Sequence, residues 1–175
     1  GFQAEADKVR THGVVTAEVA AELTGERRGS HYMAGLLHNV GRLILFRVAS
    51  QHGMAQLPTD DLFEKSAKIS YAGLGVLVAR SWRLDDAVAA GIGFHPCPED
   101  APRPHQQIAK VVRASQIAAS AAQLAIAGVS LEGIDPAQEI SNLGFDPMKA
   151  INKAQTVYKN MSAIEDDTEE DTPSN

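Results

Sequence analysis

The chain has one cysteine, Cys97, and one tryptophan, Trp82, in 175 residues. A single thiol forms no internal disulfide and offers no cysteine pair to a structural zinc ion, so a disulfide-stapled secreted scaffold and a zinc ribbon are both excluded. A reducing compartment, the cytoplasm, is the expected location. Aromatic residues make up only 5% of the sequence, and the apolar content is mostly Ala, Val, Ile and Leu. No apolar run approaches the roughly 20 residues that a bilayer span needs, and no charged segment leads into an apolar signal region. A concentrated basic patch is missing as well. The net charge of −6 arises at one end, because Glu165, Asp166, Asp167, Glu169, Glu170 and Asp171 are six acids in seven positions, and without them 16 acidic residues face 16 basic ones. A neutral body with an acidic end is a poor surface for a polyanion, so neither nucleic acid nor membrane is expected as a partner.

What is present is helix signal over a length that suits one domain with a buried core. Val9, Val14, Val15, Val19, Ala20 and Leu23 return at spacings near three and four, which predicts a helix over 5–23 closed by Gly25. A second helix is expected over 31–49, with Leu36, Leu37, Val40, Leu43, Ile44 and Val48 on a broad apolar face and Gly41 as a bend or close-packing point. Thr59 is a candidate N-cap for the segment that follows it, and the run VLVARSW reads as helix because Asp85 caps LDDAVAAGI directly after it. Pro96, Pro98, Pro102 and Pro104 mark a loop. An Ala-rich helix is expected over 106–127. Asp135-Pro136 and Asp146-Pro147 each set a capping residue before a proline, the expected start of two further short helices. The predicted domain spans 1–164, and 165–175 is expected to be an acidic disordered tail, since it has almost nothing apolar to bury.

The histidines are the residues best able to carry chemistry, as metal ligands or as bases near neutral pH. His52 reads as a surface residue at a helix C-terminus, and His105 as a solvated loop residue. His31 reads as a peripheral packing residue. In AGLLHNVGRLIL, however, the polar pair His38-Asn39 interrupts an apolar run, and a buried polar pair needs partners. His12 upstream and His95 downstream bring three imidazoles from three segments within reach of one cavity. Trp82 reads as core or helix–helix filler. Cys97, between two prolines, can be exposed but has no evident group to activate it. Arg27, Arg28 and Arg80 could touch a phosphate, yet they are scattered among acids.

Ala34-Gly35-Leu36-Leu37-His38-Asn39-Val40-Gly41 resembles the A-G-L-L-H-D-I-G run of the HDOD family, the HD-related output domain, a degenerate branch of the HD phosphohydrolase superfamily. His12-Gly13, Glu64, Tyr71-Ala72-Gly73-Leu74-Gly75, Ala79, Trp82, Leu84 and His95-Pro96 with Pro98 follow the family's other motifs in order. The resemblance covers roughly 12–120 and points to the second half of such a domain. It implies an all-α, compact multi-helix bundle of the HD type without appreciable sheet.

The departures from the family's pattern shape the expected function. An active HD site resembles H…HD…D, with two carboxylates helping to hold metal ions that activate water. Here the Asp of the HD pair is Asn39 and the later Asp is Ser115, while Tyr71 and Phe94 replace two further histidines. Hard dications need anionic oxygen ligands, so His12, His38, Asn39, His95 and Ser115 read as vestigial site positions, with no catalytic residue, metal or cofactor expected. A zinc ion on His12, His38 and His95 is an open alternative beside an internal hydrogen-bond network of His38 and Asn39. The resemblance implies a non-catalytic regulatory or output domain in bacterial signal transduction, working through a signalling protein partner or as a homo-oligomer. The alternatives are a metal-dependent phosphohydrolase acting as a cyclic-dinucleotide phosphodiesterase, and a nucleotide-sensing module without turnover.

Overall fold

Helix follows helix because capping and helix-breaking residues sit between the apolar runs. The computed structural model describes residues 2–54, 61–126 and 135–170, with side chains except those of 2, 61–70, 124–126 and 164–170. These residues form α1 (Phe2–Thr24), α2 (Ser30–Leu37), α3 (Val40–Gln51), α4 (Asp61–Ser81), α5 (Asp86–Phe94), α6 (Gln106–Ile126), α7 (Pro136–Asn142) and α8 (Pro147–Glu170). Among the described residues there is no strand, and the architecture is the expected all-α one. No described helix is long and apolar enough to cross a membrane.

Local chemistry sets several of these boundaries. The Asp85 carboxylate accepts from the Val88 N–H at 2.7 Å and opens α5, and it also accepts from the Ser30 hydroxyl at 2.9 Å, so one side chain ties together the starts of α2 and α5. Asp135 accepts from the Ala137 and Gln138 amides, and Asp146 from those of Met148 and Lys149. The proline segment folds into two 3-10 turns, Pro98–Asp100 and Arg103–His105.

The core lies on both flanks of α6. On one side Val15 and Val19 of α1 meet Ala114, Ala118 and Ala122 of α6, Ile140 of α7 and Ala150, Ala154 and Tyr158 of α8. On the other, Ile108 and Val112 of α6 meet Ala34 of α2, Ala79 of α4 and Val88 and Ile92 of α5. Small side chains let the helix axes come close, which compensates for the shortage of aromatics. Gly13 shows how close: a methyl there would lie 2.7 Å from the Leu36 carbonyl oxygen, so α1 and α2 touch backbone to backbone.

Several expectations are corrected. The helix expected over 31–49 is two helices, parted at His38 and Asn39, because α2 packs on α1 and α5 while α3 turns to pack on α4. Trp82 is not core: it follows the last residue of α4 and is 57% exposed. The helix after Asp146 is long rather than short, and its backbone continues through the acidic run to Glu170, since a helix already started on a packed face extends cheaply. His105 is half-buried rather than solvated, while His52 and Cys97 are exposed as expected. The Thr59 cap and the final residues 171–175 lie outside the described residues.

Two backbone positions yield opposite predictions. A methyl group at Gly41 would collide with the Tyr71 carbonyl oxygen and stand 3.0 Å from the Gly75 nitrogen, where α3 crosses α4. Gly41→Ala therefore lowers unfolding free energy by about 2 kcal/mol or more in urea titration. Arg83 is left-handed (φ 56°), and the bonds from its own N–H to the Arg80 carbonyl and from the Leu84 N–H to the Ala79 carbonyl close α4 in a Schellman motif. Arg83→Gly raises stability by about 0.5 kcal/mol, the relief of left-handed strain outweighing glycine's entropy cost.

Candidate functional site

Residues 5, 8 and 12 recur at spacings of three and four along α1, which turns Glu5, Lys8 and His12 to one side of the helix. The break between α2 and α3 adds His38, Asn39 and Arg42. Tyr71 and Ala72 come from α4, His95 and Pro96 from the end of α5, and Arg113, Gln116, Ser120 and Gln123 from one stripe of α6. Together they line a cavity of about 340 Å³.

Two of the histidines are fixed by helix ends. The last carbonyls of a helix have no partner within it. His38, the C-cap of α2, donates from Nδ1 to the Gly35 carbonyl at 2.7 Å, and His95, the C-cap of α5, donates from Nδ1 to the Ile92 carbonyl at 2.8 Å. A carbonyl oxygen only accepts, so both rings carry their proton on Nδ1 and leave the Nε2 lone pair as an acceptor. His38 has no exposed surface, lines the cavity, and its Nε2 has no hydrogen-bond partner. Its ring centroid lies 5.4 Å from that of His12 and 5.2 Å from that of His95, so His38 is the middle member of the cluster. The Tyr158 hydroxyl of α8 lies 3.4 Å from His12 Nδ1. Burial pushes the phenol up to about 12.

Burial also keeps the three imidazoles neutral. Desolvation is the main cause in each, lowering His12 to about 3, His38 to about 4 and His95 to about 3. Repulsion adds to it: His38 and Arg42 act on His12, and His38 and Arg113 on His95, while the carbonyl bonds of His38 and His95 oppose the shift. Among the described residues the charge on the wall is therefore carried by Lys8, Arg42, Arg113 and Glu5. Glu5 pairs with Lys8 at 2.9 Å, and that hydrogen bond is the main reason its carboxyl lies below the usual range. Arg113 stands 3.6 Å from Glu139. The Arg42 guanidinium carbon lies 5.6 Å from the Phe46 ring centre and 5.8 Å from that of Tyr71, and its Nε is buried without a hydrogen-bond partner.

The structure brings His12, His38, Asn39 and His95 to one cavity, and Ser115 is not among the residues that line it. Ser115 is fully buried with an unpartnered Oγ, and Gln116 beside it lines the wall instead. Of the hydrogen-bond network expected of His38 and Asn39, the described residues show the bond from His38 to the Gly35 carbonyl. Arg27, Arg28 and Arg80 are exposed and away from the cavity. The cations that line it, Lys8, Arg42 and Arg113, were not singled out by sequence reasoning. The 113, 116, 120, 123 spacing of polar residues on an Ala-rich helix was a signal that could have found part of the wall.

The metal ions implied by HD chemistry do not fit these residues. Among the described residues the wall has one carboxylate, Glu5, whose side chain is 48% exposed and bound to Lys8. Among the described residues no group of three His, Cys, Asp or Glu is arranged to hold a metal ion. His38 lines a cavity whose fixed charges, among the described residues, are mostly positive, which disfavours a further cation.

Fold and cavity together define an all-α domain in which helix ends direct histidines into a common pocket. The family model of the HDOD domain matches residues 3–98, more than half of the 175-residue chain, and the chain belongs to that family. The match starts ahead of His12 and stops at Pro98, so the expected restriction to the family's second half does not quite fit. No curated protein and no solved structure matches the chain.

The neutral cluster makes stability depend on acid. The unfolded chain protonates its histidines near pH 6.5, whereas the folded rings resist protonation until about pH 4 to 3. Stability from this source is complete above about 6.5 and falls as pH drops below it, by up to about 1.4 kcal/mol per pH unit for each ring. Denaturant titrations between these limits should show a slope approaching three protons, and His95→Gln should reduce it by about one.

Proposed function

We propose that this HDOD domain is a non-catalytic regulatory output module in signal transduction, acting in the cytoplasm through contacts with a signalling protein. The observation that carries the reading is the composition of the cavity wall. Among the described residues it sets three neutral imidazoles and Asn39 beside a single carboxylate already bound to Lys8, a poor set of ligands to offset the desolvation of a hard dication. Imidazoles held near 3 to 4 are also weak bases at neutral pH and abstract few protons from water. Exposed apolar side chains support the contact role: Leu77 is 62% and Trp82 57% exposed, and Val48 on α3 is 46% exposed. Tryptophan in particular contributes strongly where proteins meet.

The test is hydrolysis. Purified protein supplied with Mg²⁺, Mn²⁺ or Zn²⁺ should leave bis-p-nitrophenyl phosphate and cyclic dinucleotides at the background rate. Turnover that needs one of these ions and is abolished by His38→Ala would establish the phosphohydrolase alternative instead.

A further inference from the structure

The cavity makes two chemical demands at different depths. At its inner end stands His38, with no exposed surface and with Nδ1 committed to the Gly35 carbonyl. Its Nε2 presents a lone pair that no described group meets. With a cation disfavoured by the positive wall, a hydrogen-bond donor is the group that satisfies that atom, because an anionic oxygen in the same place would set lone pair against lone pair. Nearer solvent are the cations: Lys8 has a 63% exposed side chain, Arg113 a 33% exposed one, and Arg42 is half-buried between two rings. Lys8 and Arg113 are partly balanced by Glu5 and Glu139, whereas Arg42 has no ion pair among the described residues and keeps a buried Nε unpartnered. A desolvated guanidinium held in place by aromatic faces is prepared for an oxyanion.

We propose that the cavity binds a small organic oxyanion that also carries a hydroxyl or amino group, with the anion at Arg42, Lys8 and Arg113 and the donor against His38 Nε2. Neither demand alone selects this class. A bare anion leaves His38 unsatisfied, and a neutral polyol brings no ion pair to Arg42, which has none among the described residues and feels only the more distant Glu5 carboxylate. A cation meets the fields of Arg42 and Arg113. The volume of about 340 Å³ limits the ligand to the size of a monosaccharide derivative, at the lower end of the usual range for small-molecule sites. Asn39, Gln116, Ser120 and Gln123, on the same wall, supply further hydrogen-bonding groups for such a polyhydroxylated body. This inference goes beyond the output reading and stands or falls apart from it.

Isothermal titration of the full chain at neutral pH and low salt tests it with four probes. Ribose 5-phosphate and gluconate carry both features, ribose has only the hydroxyls, and sulfate only the charge. At least one of the first two should bind about tenfold or more tightly than ribose and sulfate, and the comparison between them tells phosphate from carboxylate recognition. Arg42→Met should weaken that binding by about tenfold or more while leaving the neutral-pH thermal midpoint of a folded protein. The ¹⁵N resonance of His38 Nε2 should shift with the bound probe and not with sulfate, which reports the donor contact without any substitution. Sulfate binding as tightly as the organic anions, binding indifferent to Arg42→Met, or no binding of either organic anion at millimolar concentration would overturn the proposal. Release of phosphate from ribose 5-phosphate would sink the non-catalytic reading and leave this one standing.

Discussion

The buried bond from His38 Nδ1 to the Gly35 carbonyl, 2.7 Å long, is the interaction on which the rest of the site depends. It exists because α2 ends at Leu37, which frees that carbonyl from the helix ladder. The ending in turn allows α3 to leave at an angle and pack on α4, with Gly41 at the crossing. Helix termination, imidazole burial and the new direction of the chain are thus one event. The same device recurs at His95 on the Ile92 carbonyl at the end of α5. Two helix ends meet beside α1, and their capping imidazoles line the space between them.

Neutrality follows from this burial and changes what the histidines can do. In a hydrolytic metal centre, carboxylates offset the desolvation of the ion, and imidazoles complete its coordination. Here Asn39, beside His38, offers an amide rather than a carboxylate, and Arg42 and Arg113 lie close enough to oppose protonation of His12 and His95. His38 and His95 become fixed acceptors in a positive field. A wall of acceptors and cations is suited to selecting a ligand by hydrogen bonds and charge.

The parts of this arrangement that were legible in the sequence are the ones governed by local chemistry. Asp85, Asp135 and Asp146 announce helix starts because a short carboxylate caps nearby amides whatever the tertiary setting. His12, His38 and His95 were recognisable as a group through the family's motif order. The break at His38 was not legible, because the apolar face of 31–49 continues across it and only packing on α4 reveals the change of direction. Trp82 was misplaced for a related reason: aromaticity favours burial on average, but the position beyond the last turn of α4 faces solvent. Arg42 and Lys8 look in the sequence like ordinary solvated charges. Their role appears only when three helices converge.

The family match and the cavity do not end at the same place. The matched segment, residues 3–98, contains all three clustered histidines together with Lys8 and Arg42. Arg113, Gln116, Ser120 and Gln123 come from α6, and the phenol beside His12 comes from α8, both beyond the match. The matched part therefore holds the acceptors and the inner cation, while α6 supplies the facing polar wall and α8 supplies the neighbour of His12. Because α6 also runs between the two core clusters, that wall cannot shift without disturbing both. Arg113 and Gln116 thus stand on a helix that α1, α5 and α8 all contact.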